Sequence, residues 1–211
     1  MVTGLDSLDR ALPHGGFPRG KLTVWAPAGG AAAVLRAACR AAIAGGERAA
    51  WVDATGTLTF GWAPSAEHRW DEGAPLVVRA TNRMSALRCA EVLLKAGAFA
   101  LVVLDGADPV GAETVRLVGA VRDGGGAFVT LTDRGAMAAL RISSSFDLRG
   151  VRWRPGPFGD PATPVDLQAD VQVRALGWNS RAKVLFRITR YDLRDALEPG
   201  GADRRGGIPD R

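Results

Sequence analysis

Apolar residues recur along this chain in two rhythms. Lys21 to Ala26, Arg48 to Asp53, Leu76 to Arg79, Phe99 to Asp105 and Ala127 to Thr132 are short, nearly continuous apolar runs. Runs of that length predict strands buried on both faces. Between them lie stretches with helical spacing: the Ala-rich segment reaching about Ala44, Asn82 or Ser85 to Lys95, and Glu113 to Arg122. Gly45-Gly46, Gly97 and Gly124-Gly125-Gly126 supply their stops. Leu5, Leu8 and Leu12 predict a short leading helix capped by Asp6 or Ser7, and His14 to Gly20 is turn-rich. Strand and helix therefore alternate, which predicts a mostly parallel sheet with helices on both faces. Residues 55–75, with Trp62, Trp70, Pro64 and Pro75, show no readable period.

After Met137 the rhythm changes. Phe146 to Arg154 reads as a strand, and Pro155 to Pro164 as a loop. Asp170 to Leu176 and Lys183 to Tyr191 alternate around Gly177-Trp178-Asn179-Ser180, which predicts a closing antiparallel hairpin. From Glu198 the chain is Gly, Pro and charge. The expected organisation is one core domain, 1–197, and a disordered tail, 198–211.

With 211 residues, 47% hydrophobic and 23% charged, the composition is that of one soluble globular domain. A net charge of +5 and a pI of about 10 suit a nucleic-acid or acidic protein partner. An Arg/Ala/Gly-rich coding bias accounts for the same numbers. Cys39 and Cys89 sit alone in predicted helices, which points to reduced thiols and a cytoplasmic protein. His14 and His68 are isolated, so no metal is expected. Neither a leader pattern nor an apolar run of membrane-spanning length is present.

The first long strand leads into Pro27-Ala28-Gly29-Gly30 and then a helix, the layout of a phosphate-binding loop. That loop needs G-x-x-x-x-G-K-[ST], with backbone N–H groups around the phosphates, a Lys on the outer ones and a hydroxyl on Mg²⁺. Here Ala26 and Ala31 stand at the glycine positions, Ala32 at the Lys and Ala33 at the Ser/Thr. The helix N-terminus still favours an anion. The side chains do not suit Mg-nucleotide, and no cofactor is expected.

Thr3-Gly4-Leu5-Asp6-Ser7-Leu8-Asp9-Arg10-Ala11-Leu12, followed by Gly15-Gly16-Phe17-Pro18-Arg19-Gly20-Lys21-Leu22, resembles the start of the RecA recombinase core. The likeness continues in register to about Tyr191. Trp51-Val52-Asp53-Ala54 resembles its second strand, and Leu101 to Asp105 its Walker B strand. Ala139-Leu140-Arg141 and the hairpin resemble its C-terminal sheet. The resemblance implies a RecA-like three-layer α/β/α sandwich. It also marks departures. Thr55 stands at the position of the catalytic Glu, and Thr132-Asp133 at that of the nucleotide-sensing Asn-Gln pair. The two DNA loops shrink to about Gly106–Glu113 and Arg134–Met137. With the subunit-docking N-terminal segment missing from the pattern, RecA-type filaments are not expected. Asp53 and Asp105 become relics, hydrogen-bonded at strand ends.

RecA-like chains with these losses resemble the ImuA family, sometimes called SulA-like. The resemblance implies a non-catalytic accessory role in SOS-induced translesion synthesis. The implied partners are an ImuB-like inactive Y-family polymerase homologue and an error-prone C-family DNA polymerase. DNA contact, with nucleoid association, is expected of Arg134, Arg141, Arg174, Arg181, Lys183 and Arg187, with Trp153 and Trp178 interleaved as stacking surfaces. The plainer reading is a solvated sheet face with its tryptophans in the core. Arg19 and Lys21 flank the first strand, and Phe60, Trp62 and Trp70 are a candidate partner patch. Two rival functions stand beside this one. The first is a divergent ATPase using Asp105 for metal, and the second a SulA-like division inhibitor.

Overall fold

Four of the five apolar runs become strands with almost no exposed residue, whereas Leu76–Arg79, expected to be buried on both faces, lies at the sheet edge and is partly exposed. The computed structural model describes residues 1–56, 58, 74–146, 149, 151–159 and 161–187. In chain order these form α1 (Asp6–Ala11), β1 (Leu22–Trp25), α2 (Ala31–Ala44), β2 (Ala49–Asp53), β3 (Leu76–Arg79), α3 (Arg83–Lys95), β4 (Leu101–Asp105), α4 (Ala112–Gly124) and β5 (Ala127–Leu131). Then come β6 (Leu140–Phe146), β7 (Arg152–Pro155), β8 (Pro161–Ala175) and β9 (Trp178–Arg187). Residues of β1, β2 and β5 are buried throughout. Burial on both sides requires cover on both sides.

The sheet order is β3-β2-β4-β5-β1-β6-β8-β7, with β9 on the other edge of β8. Pairing is parallel from β3 to β6 and antiparallel beyond. On one face Trp25, Trp51, Leu101, Val103 and Val129 pack with Leu8 of α1 and with Val34, Leu35 and Ala38 of α2. On the other, Leu22, Val24, Val52, Val102, Leu104 and Phe128 pack with Leu87 and Leu94 of α3 and Leu117 and Val121 of α4. This is a three-layer RecA-like α/β/α sandwich with a C-terminal antiparallel hairpin.

Several local expectations need correction. The N-cap of α1 is Leu5, without a side-chain bond. Instead Thr3 Oγ1 accepts from Leu5 N–H at 3.2 Å, and Asp9 accepts from Thr3 N–H at 2.8 Å. The span 146–154 is not one strand but the end of β6 and most of β7. The Pro155–Pro164 loop is shorter than expected: β7 reaches Pro155, a turn occupies residues 156–159, and β8 starts at Pro161. Prolines are tolerated there because they sit at strand ends and beside register shifts in the β7–β8 ladder. The hairpin turns on Leu176-Gly177 alone, since Ala175 pairs with Trp178. Residues 60, 62, 68 and 70, and the 198–211 tail, lie outside the described residues.

Of the two candidate starts, Asn82 is the cap of α3, its side chain accepting from Ser85 N–H at 2.9 Å. Arg83 of α3 pairs with Glu113 of α4 and donates to the Asp108 carbonyl of the β4–α4 connection at 2.8 Å. The Arg83 hydrogen bond to the Glu113 carboxylate, with a second from Val110 N–H, holds that carboxyl below its ordinary value.

Candidate functional site

The loop after β1 is fastened to β6. Ala26 N–H donates to Ile142 O at 2.9 Å, which extends the β1–β6 ladder into the loop. Trp25 Nε1 donates to Ser144 Oγ at 3.0 Å, and that hydroxyl donates to the Ala28 carbonyl at 3.3 Å. Gly29 and Gly30 both have positive φ, 67° and 80°. At Gly29 a Cβ would run into the Ser144 carbonyl, while at Gly30 it would touch the Phe146 ring at 3.5 Å. The Gly29 position therefore serves close approach of one strand's backbone to the loop. Gly30 caps α2 with no side-chain bond. Ala31 and Ala33 are buried and Ala32 is half-buried, so the methyls that replace the hydroxyl and the second glycine belong to the core.

At the neighbouring strand ends, Asp53 lies opposite Asp105 in the β2–β4 register. Asp53 is fully buried. Its Oδ1 accepts from Thr55 N–H at 3.0 Å, Thr55 Oγ1 at 2.7 Å and Gly56 N–H at 2.8 Å. Its Oδ2 accepts from Leu58 N–H at 3.2 Å. The carboxylate is thus committed to ordering its own connection. Thr55, at the position where the resemblance looks for a base, is one of its donors. Asp105 is half-buried, and its carbonyl accepts from Ala54 N–H at 2.9 Å. Thr132 is buried, and its hydroxyl accepts from Arg134 N–H at 3.0 Å.

The basic candidates gather elsewhere. In the β6–β8–β9 ladder Arg141 faces Arg174, which faces Asn179. The next rows are Ser143–Gln172–Arg181 and Ser145–Asp170–Lys183. The alternate residues Ile142, Val171, Val173 and Val184 are buried, so these rows share the opposite, outward face. Arg141 donates to the Gly135 carbonyl, which brings the Arg134-bearing connection beside that face. Arg187 pairs in register with Asp166, whose carboxylate is bridged by Arg152.

The tryptophans do not join them. Trp178 lies on the inward side of β9 and donates to the Ala11 carbonyl at 2.9 Å. Ser180, on the same side, donates to that carbonyl at 2.5 Å. Trp153 is on β7, away from the rows. Arg19 pairs with Glu47 in solvent. The residue that periodicity misses is Arg36, fully buried in α2. An Arg within an Ala-rich helix carries no signal of burial in its own neighbourhood.

Among the described residues no group of His, Cys, Asp and Glu could hold a metal ion, and no helix is long and apolar enough to cross a membrane. No protein-family model matches this sequence, and no curated protein matches it.

Proposed function

We propose that this chain is a non-catalytic, RecA-like accessory protein of mutagenic translesion synthesis, an adaptor for an ImuB-like Y-family homologue and an error-prone C-family polymerase. The setting rests on the ImuA-type pattern in the sequence. The loss of chemistry rests on one observation: the loop that should cradle a triphosphate carries methyl groups at its Lys and hydroxyl positions and is strapped to β6 through Ser144. Phosphate transfer needs the Lys and the metal-holding hydroxyl at that loop, and hydrolysis needs a positioned base. Asp53 and Thr55 are occupied with one another. What survives is a scaffold whose surfaces are free to bind.

Calorimetry of the full chain with Mg-ATP tests the first half, with no saturable heat expected at micromolar nucleotide. Micromolar binding lost on Asp105→Ala overturns it in favour of a divergent ATPase. Affinity capture from DNA-damaged cells tests the second half, with the two polymerase-type partners expected. Recovery of a tubulin-like division protein instead favours the division-inhibitor reading.

A further inference from the structure

The helical layer that covers Leu22 and Val24 stops at β1. Its cluster contains residues of β1 to β5, α3 and α4, and none of β6, β8 or β9. Val24 neighbours Arg141 in the β1–β6 register, so the outward face of β6, β8 and β9 continues that same side of the sheet. Among the described residues no element lies over it. It forms a groove of about 550 Å³ lined by Ser143, Ser145, Asp170, Gln172, Arg181 and Lys183.

Three properties of this face point to its occupant. First, Arg141 and Arg174 are directly opposite on adjacent strands, an arrangement that costs stability when no anion lies between the pair. Secondly, the rows present four cations, Arg141, Arg174, Arg181 and Lys183, against the one carboxylate of Asp170. Residues two apart on a strand repeat every ~6.7 Å and adjacent strands every ~4.8 Å, so the charges form a two-dimensional array and not a point. Thirdly, the rows hold hydroxyls and the two amides of Gln172 and Asn179 but no aromatic, and one large apolar side chain, Leu185, lies in the next row. Protein-binding surfaces depend on aromatic and apolar anchors, and single-stranded DNA on stacking aromatics. These rows carry no aromatic, Trp178 being turned to the other side, and Leu185 at their margin is a lone apolar residue and not a cluster of anchors.

We propose that the outward face of β6, β8 and β9 holds the phosphate backbone of duplex DNA without reading its sequence. The inference deepens the accessory role and rests on it for its setting, not for its geometry. Partner capture can fail while duplex binding holds, and the reverse, so the two are separable.

The test is fluorescence anisotropy of the full chain with a labelled 20-base-pair duplex across a salt series. With each phosphate contact contributing about 0.9 to the log–log salt slope, four cations predict a slope of about −3 to −4. The double variant Arg174→Gln/Arg181→Gln should flatten it by about 2 and weaken binding at least tenfold near physiological salt. Its circular dichroism should match the parent. Arg88→Gln/Arg116→Gln removes the same charge from exposed positions on α3 and α4, and should change affinity less than about threefold. Equal losses in the two double variants would show net charge alone at work and overturn the proposal. So would duplex binding that the Arg174/Arg181 change leaves intact. Tighter binding to an acidic peptide or to single-stranded DNA than to duplex would replace the proposed occupant.

Discussion

The parallel part of the sheet and its antiparallel extension are built on different burial patterns. From β2 to β1 the strands are buried on both faces under α2 on one side and α3 and α4 on the other, while the edge strand β3 is partly exposed. There the architecture is complete, and the strand ends that would carry chemistry are tied down by Asp53, Thr55 and Ser144. Along β6 the burial alternates, and one face of β6, β8 and β9 is open and cationic. The lesson is about where variation is tolerated. A doubly covered strand cannot accept a new charge, whereas a half-covered one offers every second position to solvent.

The sharpest way to break that contrast is truncation on each side of it. Leu104→Ala, in a fully buried β4 position, should cost about 2–5 kcal/mol in urea unfolding. Lys183→Ala, on the open face, should stay within about 0.5 kcal/mol. Comparable losses would mean that the open face is packed after all. Next in size is a pair of glycines, both with positive φ. Gly29→Ala adds a collision with the β6 backbone to its strained φ, so roughly 1–3 kcal/mol is expected. Gly177→Ala, whose Cβ would meet nothing within 4 Å, should cost only the strain, about 1 kcal/mol. The ordering of thermal midpoints reads this directly.

The smallest effect concerns the thiols. Burial pushes the Cys39 thiol up to about 12, while Cys89 is half-buried. A disulfide-exchange reagent at pH 8 should label Cys89 in the native protein and Cys39 only in denaturant. Because the folded value of Cys39 is raised, its contribution to stability is fully present below about pH 9, the ordinary value, and fades as pH climbs toward the folded value. Native labelling of both at pH 8 would show α2 to be looser than its packing.

Much of this was legible from residue order. Leu101 to Leu104 are apolar without interruption and Ala127 to Leu131 are broken only by Thr130, and runs this short between glycine stops suit central strands. Asn82 announced a helix start through its own chemistry, and Asp53 was readable as a carboxylate hydrogen-bonded at a strand end. The extension was harder. Pro155, Pro161 and Pro164 read as a loop because proline forfeits a ladder donor, and only the irregular β7–β8 register makes room for them. Trp178, Asn179 and Ser180 read as turn by composition, yet a two-residue connection leaves them in the strand. The placement of Trp178 behind the sheet follows from that register, which no local pattern reveals. Likewise the β6 fastening of the loop joins residues more than a hundred positions apart, and a sequence window cannot see it.

The hydroxyl of Ser144 has one more implication. It lets a neighbouring strand impose on the loop the order that a bound nucleotide imposes in an active enzyme. Ligands that bind only the folded form add to its stability in proportion to their concentration. On the accessory reading this fold forgoes that coupling, so its lifetime in the cell should not follow the supply of ATP, even in a starved or poisoned cell.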